Sequence, residues 1–323
     1  MVMHDSEVKR YLVTGGDGFI GQHLVAKLTA NGHSVIVVDN HITSVPMPIS
    51  EQVEVIVGDV ADLDTTSIAS IDGIFHLASI AAPRLFREKP MSVIRPNVHG
   101  TENMVQLATT NSCRLIYTSS SETYGSSGDS KIVTRMSEDH VSRHVLLSDK
   151  SPYSSAKVMG EEIIRSAKEQ GVDATAIRLF NVYGGNMDPT LQGRGRVIPN
   201  FLHALTKGEA IPVEGDGSQS RTFTWIDDVV EGLILLMEYK GELPLVMNMG
   251  SEDVISILDL AKTMAETFGV GLEIEYTSRL SGDPNWRCPD CSLLRSTIGW
   301  SPQTTIGEGL ELLIKQTSTL DER

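Results

Sequence analysis

Cysteine is scarce in this chain, with three among 323 residues. Three thiols cannot build a disulfide framework, which suits a reducing compartment. Basic residues are also short: 27 Lys and Arg face 42 Asp and Glu, a formal charge of −15. That balance excludes a broad nucleic-acid or anionic-membrane surface, because binding phosphates along a backbone needs a basic stripe. It still lets a few arginines hold a small anion locally. Long apolar runs are missing too. Stretches such as 232–237 (GLILLM) fall far short of a bilayer span, and the start MVMHDSEVKR has no apolar leader core. A soluble, cytoplasmic protein with no nucleic-acid or membrane partner is expected.

Against those absences, apolar residues make up 40% and charged residues 21% of the chain, the mixture of an ordinary globular protein. Short apolar runs alternate with helical patterns. Arg10–Val13, Ser34–Val38, Val53–Val57, Gly73–Leu77 and Arg114–Tyr117 each read as a buried strand, with amphipathic stretches at Ile20–Ala30 and Val98–Thr110 between them. Strands that are apolar throughout and separated by helices predict a parallel sheet covered on both faces, an α/β doubly wound fold. After about Asn181 the character changes, with glycine-rich loops at 184–195 and 214–220 and helical patterns at Ile226–Glu238 and Ile255–Thr267. The expected organisation is a Rossmann domain over 1–180, to which 226–250 returns. A smaller substrate-binding lobe over 181–225 and 251–323 is interleaved with it.

The first strand runs into TGGDGFIG at 14–21, placing Gly15, Gly18 and Gly21 between a strand and a helix. Glycines there permit a tight turn, close approach of the backbone to a pyrophosphate, and close helix–strand packing. The next helix aims its N-terminal amides at the phosphates. Asp39 ends the second strand in VVDN, where a carboxylate can bind ribose hydroxyls and repel a 2′-phosphate; with no arginine beside it, NAD is favoured over NADP. Asp59, after the third strand, can meet the adenine amino group or cap a helix over Ala61–Ala69.

Tyr153 and Lys157 stand four apart in SPYSSAK, on one face of a helical pattern running to about Gln170. Ser119, Ser120 and Ser121 follow the fifth strand, at the carboxyl edge where open α/β sheets bind ligands. A tyrosine base needs its pKa of about 10 lowered by roughly three units, about 4 kcal/mol. A cation at ~4 Å supplies ~1 kcal/mol in water and ~4 kcal/mol at an effective dielectric of 20, so a partly desolvated lysine suffices. The serine hydroxyl would relay the proton.

With these residues in place the chain resembles the extended short-chain dehydrogenases, the nucleotide-sugar epimerase/dehydratase family. The matching segments include TGGDGFIG at 14–21, VVDN at 37–40, GDV at 58–60, HLAS at 76–79, NVHGTENM at 97–104, SSSETYG at 119–125 and YSSAK at 153–157. LFNVYG at 179–184, EGDGSQSRTFTWIDD at 214–228 and RCPD at 287–290 continue the match. The resemblance implies NAD as cofactor and Ser120, Tyr153 and Lys157 as the catalytic set. It implies cofactor contacts from Gly15, Gly18, Phe19, Ile20, Gly21, Asp39, Asn40, Asp59, Val60, Leu77, Ala78, Ser79, Asn97, Ser119, Tyr153, Lys157, Phe180 and Val182. Substrate contacts would come from Ser121, Asn181, Arg196, Val197 and Val213, with Arg221 and Arg287 clamping a nucleotide diphosphate. Planar guanidinium forks suit phosphate oxygens. In this family NAD+ oxidises the sugar at carbon 4, and the outcome depends on what surrounds the ketone.

Glu122 bears on that outcome. A carboxylate near carbon 5 suits dehydratases and decarboxylases, but dehydratases place Asp before that Glu, where this chain has Ser121. The Ser-Glu pair, HLASIAAP at 76–83 and GRVIPNF at 195–201 resemble UDP-glucuronate decarboxylases, with Arg196 near a substrate carboxylate. Departures are SSA after Tyr153, Gly185 in place of a common proline, and a polar insert over 126–150. UDP-sugar 4-epimerase stays open beside decarboxylase, then dehydratase; an NAD-binding sensor or scaffold is the non-enzymatic alternative. The resemblance also implies a homodimer packed through helices near 98–111 and 153–170. Cys288 and Cys291 lack a second ligand pair for zinc, so no metal is expected. His76, inside a strand, reads as a satisfied core residue.

Overall fold

A computed structural model of the chain describes residues 7–48, 50–68, 70–125, 135–140, 148, 150–187, 196–279 and 284–318. Most of the 126–150 insert and much of the 184–195 loop lie outside the described residues. The first six strands are β1 (Arg10–Thr14), β2 (Ser34–Asp39), β3 (Val53–Val57), β4 (Gly73–His76), β5 (Arg114–Ser120) and β6 (Ala174–Leu179). Then come β7 (Val182–Tyr183), β8 (Ile211–Glu214), β9 (Ser220–Thr222), β10 (Thr224–Trp225), β11 (Val246–Met249), β12 (Val254–Ser256), β13 (Ile274–Thr277) and β14 (Trp286–Arg287). Seven of them form one parallel sheet in the order β11-β6-β5-β4-β1-β2-β3. Chain order reverses direction between β1 and β4, so the first halves of two crossovers diverge there and leave a crevice at the carboxyl ends.

The principal helices are α1 (Phe19–Ala30), α2 (Leu85–Glu88), α3 (Pro90–Arg95), α4 (Thr101–Asn111), α5 (Ser151–Glu169), α6 (Val197–Lys207), α7 (Ile226–Glu238), α8 (Ile257–Phe268), α9 (Ser292–Ile298) and α10 (Ile306–Ser318). Strand alternation divides the core in two. Tyr11, Val13, Val35 and Val37 face α1 and α7, whereas Leu12, Ile36 and Val38 face α4 and α5. The fold is thus α/β, doubly wound and Rossmann-like. The smaller pairings are β8 with β13, and β9 between β12 and β14, alongside α6 and α8.

Two local expectations change, and one strand is added. β3 is the sheet edge and not a buried strand; Val57 at its end is 68% exposed. No α-helix follows Asp59, only two three-residue turns at Val60–Asp62 and Thr65–Ser67, because Asp64 opens a second turn with its own side-chain cap. β6 belongs to the sheet although its sequence, ATAIRL, does not stand out as apolar. Its small residues fit under flanking helices, leaving Ala174, Thr175 and Ala176 fully buried.

Candidate active site

A cavity of about 400 Å³ opens over the carboxyl ends of the strands at the crevice and reaches α6, β8, β9 and β14. The glycine turn forms its floor. Gly15 adopts φ +68°, and a Cβ there would lie 2.9 Å from the Ala78 backbone; a Cβ on Gly21 would lie 2.2 Å from the Gly15 carbonyl. The turn is therefore packed as tightly as backbone allows, against the β4 end. Thr14 fixes that contact, since its Oγ1 accepts from Ala78 N at 3.1 Å and lies 2.7 Å from His76 Nδ1. The N-terminus of α1 has no side-chain cap and no acid in its first turn, so its amides stay available to an anion.

Asp39, 8% exposed, accepts from Asp17 N at 3.2 Å, His41 N at 2.9 Å and Ser44 Oγ at 2.7 Å. A carboxylate has about four lone-pair sites, so capacity for ribose hydroxyls remains. Asp59 caps a short turn and faces the cavity. Its Oδ1 caps Ala61 N at 2.9 Å, and its Oδ2 lies 3.4 Å from Asn40 Nδ2 at the cavity wall. A glycine cradle, an uncapped helix end and a buried acid at the ribose position fit an NAD dinucleotide.

The reacting end is dominated by burial. Lys157 is 2% exposed, donates to Thr118 O at 2.6 Å, and sits 4.8 Å from the Tyr117 ring centroid and 5.8 Å from that of Tyr153. Burial pulls its pKa down to about 7, while Glu161 opposes the fall. Burial also raises Tyr153, with Glu122 adding to the rise; a hydrogen bond from Ser120 and the charge of Arg196 pull it back. Phe86 stacks flat on Tyr153, centroids 4.7 Å apart, fixing the ring. Behind them, Glu161 accepts from Ser119 Oγ at 2.5 Å and from Arg178 at 2.9 and 2.7 Å.

The pairing of β9 with β14 closes the far side. Arg221 and Arg287 are register partners across β9 and β14, and both are buried and line the cavity. Like charges opposite one another repel, so a site that holds both suits anionic groups. Glu122 Oε1 lies 2.7 Å from Arg287 Nη1 and 3.6 Å from Lys150 Nζ. Arg196 precedes α6 and donates to Ala81 O at 3.2 Å.

The cavity brings together Gly15, Gly18, Phe19, Ile20, Gly21, Asp39, Asn40, Asp59, Val60, Leu77, Ala78 and Ser79 with Ser119, Ser120, Ser121, Glu122, Tyr153 and Lys157. Asn181, Val182, Arg196, Val197, Arg221 and Arg287 complete that wall. Three expected contacts sit beneath the lining instead, all 0% exposed. Asn97 donates to Ser79 Oγ at 2.9 Å and accepts from Tyr117 Oη at 3.1 Å. Phe180 packs with Tyr124 and Met136, and Val213 supports Gly217. Sequence reading missed Lys150, Phe86, Ser44 and Gln219. Only Gln219 lay within a quoted motif; the others carry no spacing signal. Cys288 and Cys291 are free and buried, and burial pushes the Cys288 thiol up to about 11 and Cys291 higher still. Among the described residues no group of three metal ligands forms, and no helix is long and apolar enough to cross a membrane. His76 is fully buried and held neutral, its pKa lowered to about 3 by burial and by Lys157.

Residues 11–250 match the NAD dependent epimerase/dehydratase family. UDP-glucuronic acid decarboxylase 6 of Arabidopsis thaliana is 34% identical over 311 residues, covering 94% of this chain and 87% of that one. Among solved structures, MoeE5 in complex with UDP-glucuronic acid and NAD is 29% identical with a TM-score of 0.84, covering 96% of this chain and 99% of that one. The UDP-glucose 4-epimerase of Thermotoga maritima, with UDP-glucose, is 28% identical with a TM-score of 0.87 over the same shares, 96% and 99%. The chain belongs to the NAD-dependent epimerase/dehydratase family and is an NAD-dependent enzyme of nucleotide sugars.

Proposed function

We propose that this enzyme takes UDP-glucuronate, oxidises it at carbon 4 and releases its carboxyl group as carbon dioxide. The observation that carries the reading is the charge at the sugar end. On a chain of net charge −15, Arg196, Lys150 and Arg287 gather around Tyr153 and Glu122. Three cations converging on a small cavity suit a sugar that carries its own carboxylate as well as a diphosphate. The similarity to UDP-glucuronic acid decarboxylases points the same way.

In this reading the Tyr153 oxygen takes the carbon 4 hydroxyl proton, with Ser120 bridging substrate and base. When bound, NAD supplies a reversible two-electron oxidant facing the sugar. Arg196 and Lys157 favour the phenolate, Asn181 and Ser121 orient the sugar, and Arg221 with Arg287 holds the diphosphate. Glu122, held between Arg287 and Lys150, stands ready to manage the proton at carbon 5. The nucleotide end falls to the lobe built from 181–225 and 251–323. A second reading, 4-epimerisation of a UDP-sugar, draws on the likeness to the 4-epimerase structure.

Incubation with UDP-glucuronate separates them: carbon dioxide and UDP-xylose are expected, and UDP-galacturonate alone would replace the first reading by the second. We place the enzyme in the cytoplasm as a homodimer packed through α4 and α5. Three buried free thiols and exposed Met159 on α5, with Met91 on neighbouring α3, support this arrangement.

A further inference from the structure

Asp17 is an unexpected residue for the mouth of a pyrophosphate cradle. A carboxylate beside the α1 N-terminus would repel the anion that the turn is built to hold. Here it is 1% exposed, and both of its oxygens are engaged by the chain. Its Oδ1 accepts from Met47 N at 3.0 Å, and its Oδ2 lies 2.6 Å from His41 Nε2. Asp17 therefore ties two points of the segment after β2 to the glycine turn. Asp39 ties two more, through His41 N and Ser44 Oγ. The tied segment is part of the cofactor cleft, contributing Asn40, Thr43 and Ser44 to its wall. His41 takes φ +55°, a left-handed conformation that needs outside support in a residue with a Cβ. Asp17 supplies that support.

We propose that Asp17 is a positioning residue that, with His41, latches the 41–47 segment across the adenosine end of the cleft and slows the departure of NAD. The inference rests on the NAD reading of this site. It adds that dinucleotide retention is set by a carboxylate whose oxygens are engaged by His41 and Met47 N. A cofactor that is used and restored within one turnover gains from slow exchange, and a latch supplies it without added contacts to the dinucleotide.

The test is the rate at which NAD leaves the holoenzyme, measured by chasing bound NAD with excess etheno-NAD and following fluorescence. D17A and H41A are each expected to release NAD at least tenfold faster than the unaltered chain. The double variant should be no faster than D17A alone, since both remove the same tie. Thermal unfolding of the NAD-free proteins provides a second readout, because a merely structural role would lower Tm while leaving the release rate unmoved. Release at the unaltered rate from both variants would overturn the latch. Should D17A fail to fold, H41A decides alone, since its ring stands at the segment's edge and is 20% exposed. Failure of the unaltered chain to bind NAD would instead remove the reading beneath the proposal, and the latch with it.

Discussion

Replacing Glu161 by methionine gives the sharpest stability prediction. Glu161 and Arg178 form an ion pair at 2.7 Å with side-chain exposures of only 10% and 11%. Glu161 accepts three hydrogen bonds, one from Ser119 Oγ and two from Arg178, and Arg178 also lies 4.6 Å over the Tyr124 ring. E161M removes the carboxylate that pairs this largely buried guanidinium, which costs about 3–5 kcal/mol. That is a large share of the ~5–15 kcal/mol by which a folded chain is stable. The double variant E161M/R178M removes the stranded charge, and its methionine stem can keep the packing on Tyr124. It should therefore be more stable than E161M alone, although the Ser119 hydroxyl and the Glu138 carbonyl still lose a partner. Urea unfolding of the four proteins measures this directly. A loss below about 1 kcal/mol for E161M, or a double variant as unstable as the sum of the singles, would refute the reasoning.

G21A should lose NAD retention at least tenfold and fall in Tm, because its Cβ would press to 2.2 Å from the Gly15 carbonyl. G307A, with nothing within 4 Å, is the control and should match the unaltered chain in bound NAD assayed after denaturation. K157M tests the buried ammonium by its pH dependence. Lys157 falls to about 7 in the fold from an ordinary 10.5, so folding disfavours its charged form. The cost is full below pH ~7 and fades as pH rises towards ~10.5. K157M also loses the hydrogen bond to Thr118 O, a constant offset, so its Tm relative to the unaltered chain should fall steadily from pH 6.5 to 9. A constant difference over that range would contradict the burial argument.

Much of this molecule was legible because its signals are periodic or punctuated. Apolar runs between helical patterns gave five strands of the sheet, and the glycine spacing with Asp39 placed the dinucleotide cradle. β6 escaped because burial there is achieved with small residues, so hydropathy does not mark it. β3 was misjudged because an edge strand of Val and Ile looks the same in sequence as a central one. At the site, the four-residue spacing of Tyr153 and Lys157 was visible, but the charge balance around them was not. That the charge of Arg196 acts on the phenol while Lys157 is buried beneath it depends on how the start of α6 and the start of α5 come to line one cavity. The Glu122–Arg287 contact joins residues 165 positions apart, a pairing no local pattern encodes. Asn97, Phe180 and Val213 show the converse: motif membership located them near the site but could not tell a lining residue from its support.

The central claim is oxidation at carbon 4 with Tyr153 as the base. It is tested most directly by comparing turnover of UDP-glucuronate with that of the same sugar deuterated at carbon 4, on the unaltered enzyme and on Y153F. The account predicts slower turnover of the deuterated sugar, with the label kept in the product, and a loss of about 10²–10⁴ in rate for Y153F. Equal rates for the two sugars together with an undiminished Y153F, or loss of the label to solvent, would contradict it.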